Sequence, residues 1–194
     1  GDVDTATTVF RKAVTLAPSD SEVLASFAHF LAQEGDRKSY REALELFSKA
    51  LKLSPDNAAY ALQYARLLKK TRNTSQADLM YQVAVRKSKG YKKLEPAAIC
   101  NYATFTCRQR RNPSLAYRMF ISGLDKFPDH KGLLKNFELL VKSNPDVGSP
   151  SALQAAKEKR VHTPSSKSKV RRALAMANSQ SDLLEGDSGT NDSP

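Results

Sequence analysis

Several residue types that mark common protein classes are scarce or missing in this sequence of 194 residues. It contains no Trp, 8 Gly and 2 Cys. No apolar run approaches the roughly 18 residues that a membrane-spanning helix needs. No positively charged, apolar leader opens the sequence, so nothing marks the chain for secretion. We therefore expect neither a membrane protein nor a secreted one.

The potentially reactive side chains are not grouped as catalytic or metal-binding residues are. Cys100 and Cys107 lie about 10 Å apart along a helix, beyond the roughly 7 Å between Cα atoms that a disulfide allows. Neither has a second Cys or His at metal-ligand spacing, and His29 has no carboxylate or thiol at a useful spacing on its helix. Since no glycine-rich phosphate loop or nucleophile elbow is present either, we expect no cofactor, no metal and no enzymatic activity. Free thiols suit a reducing compartment, so the expected location is cytoplasmic or nuclear.

A triplet of small, aromatic and small residues recurs four times along the chain. Ala77, Tyr81 and Ala84 share one helix face because they lie at i, i+4 and i+7. The same residue types recur 34 residues earlier, a further 37 residues earlier, and 39 residues later. A repeat of this length predicts a solenoid of stacked helix pairs. The four triplets are Ala6/Phe10/Ala13, Ala43/Phe47/Ala50, Ala77/Tyr81/Ala84 and Ala116/Phe120/Gly123.

Apolar residues at helical spacing predict the helices around these triplets. Ala58–Lys70 and Gln76–Val85 form one predicted pair, joined by a polar turn. Gly35 predicts the end of an earlier helix, and Arg37–Ser39 are interpreted as extra residues beside that turn. Lys131–Ser143 predicts one more amphipathic helix, which would cover the open end of the stack.

The predicted organisation is one helical repeat domain over residues 1–145 and a disordered polar tail over residues 146–194. The domain is expected to begin inside a repeat and to continue with about three full repeats and the capping helix. The tail contains no aromatic residue, so it cannot bury enough apolar surface to offset its ordering entropy. Within it, Ser151–Arg160 and Val170–Asn178 are predicted to form helices only transiently or on a partner. The predicted fold class is an all-α, right-handed solenoid of antiparallel helix pairs.

At these repeated positions the chain resembles the tetratricopeptide repeat (TPR) superfamily. The resemblance covers residues 1–143 and implies a non-enzymatic scaffold that binds a peptide or helix of a partner protein on its concave face. Asn101–Phe105 and Ala116–Phe120 are also similar to the half-a-TPR (HAT) variant of RNA-processing scaffolds, which implies an alternative role in such a complex. TPR proteins that hold the C-terminal carboxylate of heat-shock chaperones use Lys, Asn and Arg side chains. Among the matching positions only Asn101 has such a side chain, which argues against a chaperone partner.

The candidate partner-binding residues lie on the first helix of each pair. In solenoids of this kind the first helices usually line the concave face, where peptides and helices bind. Their cations would make charge-assisted contacts to an acidic peptide or helix, and an ordinary solvated face is the alternative interpretation. The set comprises His29, Gln33, Gln63, Arg66, Lys70, Asn101, Thr104 and Arg108.

The net charge of +11 is concentrated in one stretch, which we call the basic belt. Residues 66–111 contain 12 Lys or Arg against Asp78 and Glu95, which gives +10. Part of the belt lies in a long predicted connector, Arg86–Lys93. With Tyr91 as a stacking ring, the belt offers a nucleic-acid interface as the alternative to a protein partner, although surface Lys and Arg are normal on helical repeats. Its named candidates are Lys87, Lys89, Lys92, Lys93, Arg110 and Arg111.

Overall fold

The computed structural model describes residues 2–147, which form eight α-helices and no strand. The predicted tail over residues 146–194 lies outside the described residues apart from Asp146 and Val147. The helices predicted at Ser151–Arg160 and Val170–Asn178 lie outside them as well. The helices are α1 (Asp2–Leu16), α2 (Ser21–Glu34), α3 (Arg37–Leu53), α4 (Ala58–Lys70), α5 (Thr74–Lys87), α6 (Leu94–Arg108), α7 (Pro113–Lys126) and α8 (Lys131–Ser143).

Successive helices pack as the pairs α2/α3, α4/α5 and α6/α7. A short turn joins the two helices of each pair, so they run antiparallel. α1 packs on α2, and α8 packs on both α6 and α7. This arrangement confirms the all-α helical solenoid that the repeat predicts, while the right-handed sense of the superhelix stays a prediction. Within residues 2–147, none of the helices combines the length and the apolar character that crossing a membrane requires.

The turn between α2 and α3 shows how local side chains set helix ends. Gly35 ends α2 with φ +85°, a left-handed conformation that glycine adopts without a steric cost. The Asp36 carboxylate then accepts hydrogen bonds from the backbone N–H groups of Lys38 and Ser39 at 2.7 and 2.9 Å. Because this cap satisfies N–H groups of the first turn, Arg37–Ser39 belong to α3. α3 has 17 residues and α5 has 14, so the three extra residues lengthen the helix and do not lie beside the turn as predicted.

The second pair has one helix with the predicted limits and one that is longer than predicted. α4 covers Ala58–Lys70, whereas α5 covers Thr74–Lys87 instead of Gln76–Val85. Two basic residues extend its last turn, where positive charge interacts favourably with the helix dipole. The connector to α6 is therefore Ser88–Lys93 and not Arg86–Lys93.

The aromatic members of the triplets form the interior between successive pairs. Phe47, Tyr81 and Phe120 are 1, 0 and 1% exposed, which confirms the packing role that the repeat predicts. Phe10 is half-buried and stacks on Phe27, with 5.3 Å between the ring centroids. The interlocking of the triplets thus holds from α1 to α8.

The small members of the triplets let the helices approach closely. The alanines at 43, 50, 77, 84 and 116 have no exposed surface. At Gly123 on α7 even a methyl group would be crowded, because a Cβ atom there would lie 3.0 Å from Cγ2 of Ile99 on α6. Small side chains are thus required where the inner face of one helix meets its neighbour.

Candidate functional site

The first and second helices of the pairs form two separate layers. In the first layer α2 contacts α4, α4 contacts α6 and α6 contacts α8, with Cα atoms within 8 Å. Within residues 2–147 no such contact joins α3 to α5 or α5 to α7. A stack in which one layer is tight and the other is spread curves around the tight layer. The outward side of α2, α4, α6 and α8 is therefore the concave face, where the candidate partner-binding residues are predicted.

A cleft between α2 and α4 brings together five of the eight candidate partner-binding residues. On α2 the Nε2 atoms of His29 and Gln33 lie 3.2 Å apart. On α4 the Lys70 ammonium donates to the Ala32 carbonyl oxygen at 3.3 Å and lies 5.6 Å from the centroid of the Tyr40 ring. We call this site the α2–α4 cleft; it is lined by His29, Ala32, Gln33, Phe47, Gln63, Arg66, Leu67 and Lys70.

A second cleft between α6 and α8 contains two further candidates, Thr104 and Arg108. The Thr104 hydroxyl donates to the Cys100 carbonyl oxygen at 2.8 Å. The last candidate, Asn101, donates its side-chain N–H to the Ala97 carbonyl oxygen at 2.8 Å, and among the described residues it lines neither cleft. We call this site the α6–α8 cleft; it is lined by Thr104, Cys107, Arg108, Phe120, Asn136, Leu139, Leu140, Ser143 and Asn144.

Both clefts are small. Their volumes are about 130 Å³ for the α2–α4 cleft and 210 Å³ for the α6–α8 cleft, below the roughly 300 Å³ at which small-molecule sites begin. Spaces of this size are large enough for single side chains only. Within residues 2–147, no cluster of three His, Cys, Asp or Glu side chains is placed to hold a metal ion.

Positive side chains of α4 and α6 lie close to one another between the two clefts, and we call the concave surface from the α2–α4 cleft to the α6–α8 cleft the groove. Lys69 is half-buried, and burial lowers the pKa of its ammonium, which the nearby charges of Arg66, Arg108 and Lys70 lower further. The four ion pairs found between described residues involve other side chains. We call Arg66, Lys69, Lys70 and Arg108 the groove cations. Cations that crowd one another in this way are stabilised by an anion, so the groove is suited to carboxylates.

Lys69 is the member of this group that the sequence analysis missed. It lies beside the helix stripe on which Arg66 and Lys70 project, so the register alone did not select it. The available signal was the local density of cations, since three of the five residues at 66–70 are Lys or Arg. The apolar floor was missed as well, because Phe47 reaches the α2–α4 cleft from α3.

The basic belt does not form one continuous patch in the structure. Lys87 forms an ion pair with Asp56, and Nη1 of Arg110 lies 3.1 Å from Oδ1 of Asp78. Two of the six named belt candidates are therefore neutralised locally. The other four side chains are exposed, and they are Lys89, Lys92, Lys93 and Arg111.

A buried carboxylate holds the connector Ser88–Lys93 in place. Glu95 is 4% exposed and accepts hydrogen bonds from the Gly90 N–H at 2.8 Å and from the Lys126 ammonium at 2.5 Å. Burial by itself would raise the pKa of Glu95, but the Lys126 and Gly90 donors bring it below its usual value. Tyr91 is left 64% exposed beside the lysines of the connector.

The middle of this helical array is similar to a known protein family. Residues 36–90, from the residue that caps α3 through Gly90 of the connector, match a family model described as the tetratricopeptide repeat. No curated protein sequence matches the chain. The matched segment includes α4, and with it Gln63, Arg66 and Lys70 of the α2–α4 cleft.

Proposed function

Because residues 36–90 of this chain match the tetratricopeptide repeat model, we propose that its concave face binds an acidic peptide or helix of a partner protein. Tetratricopeptide repeats serve as protein–protein interaction scaffolds, and a non-enzymatic scaffold is the function that we assign here. The observation that supports an acidic ligand is the crowding of the groove cations beside the α2–α4 cleft.

The two kinds of surface in the α2–α4 cleft have separate tasks in this proposal. Arg66 and Lys70 at the rim donate charge-assisted hydrogen bonds to ligand carboxylates, which the planar guanidinium can bind through two N–H groups at once. Phe47 and Leu67 close the bottom of the cleft, where they are 1 and 2% exposed, so they limit how deeply a ligand side chain can enter. Gln63 supplies neutral hydrogen bonds for the ligand backbone.

Affinity purification with a charge-reversed groove tests this function. The full chain and its Arg66→Glu/Lys70→Glu variant are used as baits, and the captured proteins are quantified by mass spectrometry with and without nuclease. The matched control is Lys92→Glu/Lys93→Glu, which changes the net charge equally but on the connector. We expect acidic partners to be lost from the groove variant at least 10-fold and to be kept by the control and after nuclease treatment. Equal capture by wild type and groove variant would contradict the proposal.

The connector supports a second candidate function, contact with RNA in an RNA-processing complex. Tyr91 is exposed between Lys89 and Lys92/Lys93, which are exposed as well. An exposed ring flanked by cations is suited to stack on a base while the lysines contact phosphates. The connector is held by Glu95, so these side chains are presented from a fixed backbone.

Binding of a labelled single-stranded RNA, measured by fluorescence anisotropy over a range of salt concentrations, tests the second function. Lys92→Glu/Lys93→Glu is expected to weaken binding at least 10-fold and to reduce the salt slope by about 0.7 per lost phosphate contact. Tyr91→Ala is expected to weaken binding without changing that slope. Arg66→Glu/Lys70→Glu serves as the control of equal charge. RNA binding that is the same in all variants excludes the connector as the interface.

A further inference from the structure

The ends of the helices along the groove show where the C-terminal part of the chain begins. Gln33, Lys70 and Arg108 lie in the last turns of α2, α4 and α6, and Ser143 and Asn144 lie at the end of α8. Arg108 and Asn144 line the same cleft, as do Gln33 and Lys70. The C-terminal ends of the four first helices thus lie along one edge of the groove. The chain that follows α8 leaves the solenoid at this edge.

The sequence beyond the described residues ends in an acidic segment that fits the groove chemically. Residues 173–194 contain no Lys, Arg or His, and their charged side chains are Asp182, Glu185, Asp187 and Asp192. Within this segment two adjacent leucines, Leu183 and Leu184, are flanked by carboxylates. A segment with four carboxylates and no cation is complementary in charge to the groove cations.

We propose that residues 182–187 of this chain occupy the α2–α4 cleft of the same molecule. This inference rests on the proposed function of the groove and names an occupant for it. The carboxylates of Asp182 and Glu185 pair with groove cations. A partner protein then binds only by displacing this segment, so the chain regulates access to its own groove.

The connecting chain is long enough for this docking. Residues 148–181 number 34, which span about 110 Å if extended and about 50 Å even if fully helical. The α2–α4 cleft lies two helix spacings from α8, about 20 Å at the usual distance between packed helix axes. Tethering then gives a local concentration of about 1 mM. A segment whose own Kd is about 0.1 mM would occupy the groove about nine-tenths of the time.

Competition with an added copy of the segment tests the proposal. The probe is a labelled synthetic peptide of residues 179–194, titrated with the full chain and with the variant Asp182→Asn/Glu185→Gln/Asp187→Asn. The variant has lost its internal competitor, so we expect it to bind the probe about 10-fold more tightly than the wild type does. Adding Arg66→Glu/Lys70→Glu to the variant is expected to abolish this gain, and Ser188→Ala in the same tail is expected to change nothing.

The outcomes separate this inference from the proposed function. If wild type and tail variant bind the probe with equal affinity, internal docking is overturned. If Arg66→Glu/Lys70→Glu abolishes that binding, the groove is still a peptide site. Absence of probe binding to either protein also overturns internal docking. The proposed function is then judged by its own purification experiment, and it fails only if the groove variant captures the same partners as the wild type.

Crosslinking with a carbodiimide identifies the contact directly. This reagent joins a carboxylate to a lysine amine that it touches, so we expect products between Asp182 or Glu185 and Lys69 or Lys70. Mixing protein of natural isotope composition with ¹⁵N-labelled protein distinguishes the source of the two partners. Products within one isotope class support docking in the same molecule, whereas mixed products show that a second copy supplies the segment and overturn the proposal. Products confined to lysines of residues 148–181 overturn it as well.

Discussion

The cations of this protein form two regions that differ in how their charge is balanced. In the first, ion pairs join residues that are 31 or 32 positions apart. Arg11–Glu42 and Arg110–Asp78 bridge neighbouring helix pairs, whereas Lys126–Glu95 joins the two helices of the pair α6/α7. In the second, the groove cations crowd one another on the concave face. The same residue type thus forms ion pairs in one region and lies among like charges in the other. The ion pairs are Arg11–Glu42, Lys87–Asp56, Arg110–Asp78 and Lys126–Glu95.

This difference teaches that net charge is a poor guide to a binding surface. The basic belt counts +10 over residues 66–111, yet Lys87 and Arg110 within it are occupied by carboxylates of the same chain. What distinguishes Arg66 and Arg108 is that a lysine, not a carboxylate, is their neighbour. The proposed ligand of this solenoid would therefore be held by the same types of side chain that form its ion pairs.

The largest effect is expected when the packing between the two layers is removed. Phe105 on α6 is 1% exposed and lies 5.0 Å from Tyr81 on α5, measured between ring centroids. Phe105→Ala leaves a cavity there and is expected to lower the free energy of unfolding by about 3–5 kcal/mol in chemical denaturation. Leu79→Ala, at a position 56% exposed on α5, is the control and should cost less than about 1 kcal/mol. Similar losses in both variants would contradict the assigned core.

An effect of intermediate size is expected at alkaline pH from Tyr81. Burial raises the pKa of its hydroxyl from 10.0 to about 12, and that hydroxyl has no hydrogen-bond partner among the described residues. The unfolded chain therefore loses this proton at lower pH than the folded protein does. The associated stability is present below pH 10 and falls by about 2–3 kcal/mol as the pH rises toward 12.

Tyr81→Phe removes this alkaline loss and should leave stability near neutral pH unchanged or slightly higher. The measurement is the free energy of unfolding from denaturant titrations between pH 8 and about 11.5. Tyr91→Phe is the control, because Tyr91 is 64% exposed. Parallel pH curves for wild type and Tyr81→Phe would show that the buried hydroxyl does not titrate as assigned.

A smaller effect is expected from the ion pair that holds the connector. Lys126→Ala removes the ammonium 2.5 Å from the buried Glu95 carboxylate and is expected to cost about 1–2 kcal/mol at neutral pH. The pKa of Glu95 lies below its ordinary value, so the stability that the pair supplies is present above that value and is lost as the pH falls. The difference between wild type and Lys126→Ala should therefore vanish in acid.

The control for this ion pair is Lys131→Ala, which removes an exposed lysine from α8. It should change the free energy of unfolding by less than about 0.5 kcal/mol at every pH. A gap between wild type and Lys126→Ala that stays constant from pH 7 to 3 would show that the lysine acts through packing rather than through its charge.

The smallest expected effects compare the two regions most directly, because removing one cation from each region should change the free energy of unfolding in opposite directions. Lys69→Gln removes a half-buried charge from among like charges and should raise the free energy of unfolding by a few tenths of a kcal/mol. Arg110→Gln removes the partner of Asp78 at 3.1 Å and should lower it by about 0.2–1 kcal/mol. Thermal and chemical denaturation at low and high salt measure both. If Lys69→Gln destabilises the protein as Arg110→Gln does, the groove cations are not crowded.

Much of the fold follows from residue spacing, and the deviations have local causes. α4 has its predicted limits because apolar periodicity and a polar turn coincide there. α5 and α3 begin earlier than predicted, because helix starts depend on which side chain caps the first turn and on the backbone around it. Asp36 made the extra residues helical in α3. Helical register predicted the eight candidate site residues, and five of them line one cleft. It did not predict that the Asn101 side chain donates a hydrogen bond to a backbone carbonyl of its own helix.

What the sequence alone determined is the repeat. Small and aromatic residues at helical spacing predict helices that interlock in register, and the triplets of α3, α5 and α7 are buried in the structure. Only the tertiary structure decided which charges are balanced. An ion pair depends on where two side chains about one repeat apart meet, and that is set by the curvature and stacking of the helix pairs. Residue spacing within one helix does not predict which side chains of different helices come into contact. The groove could therefore be identified only from the packed layers of helices.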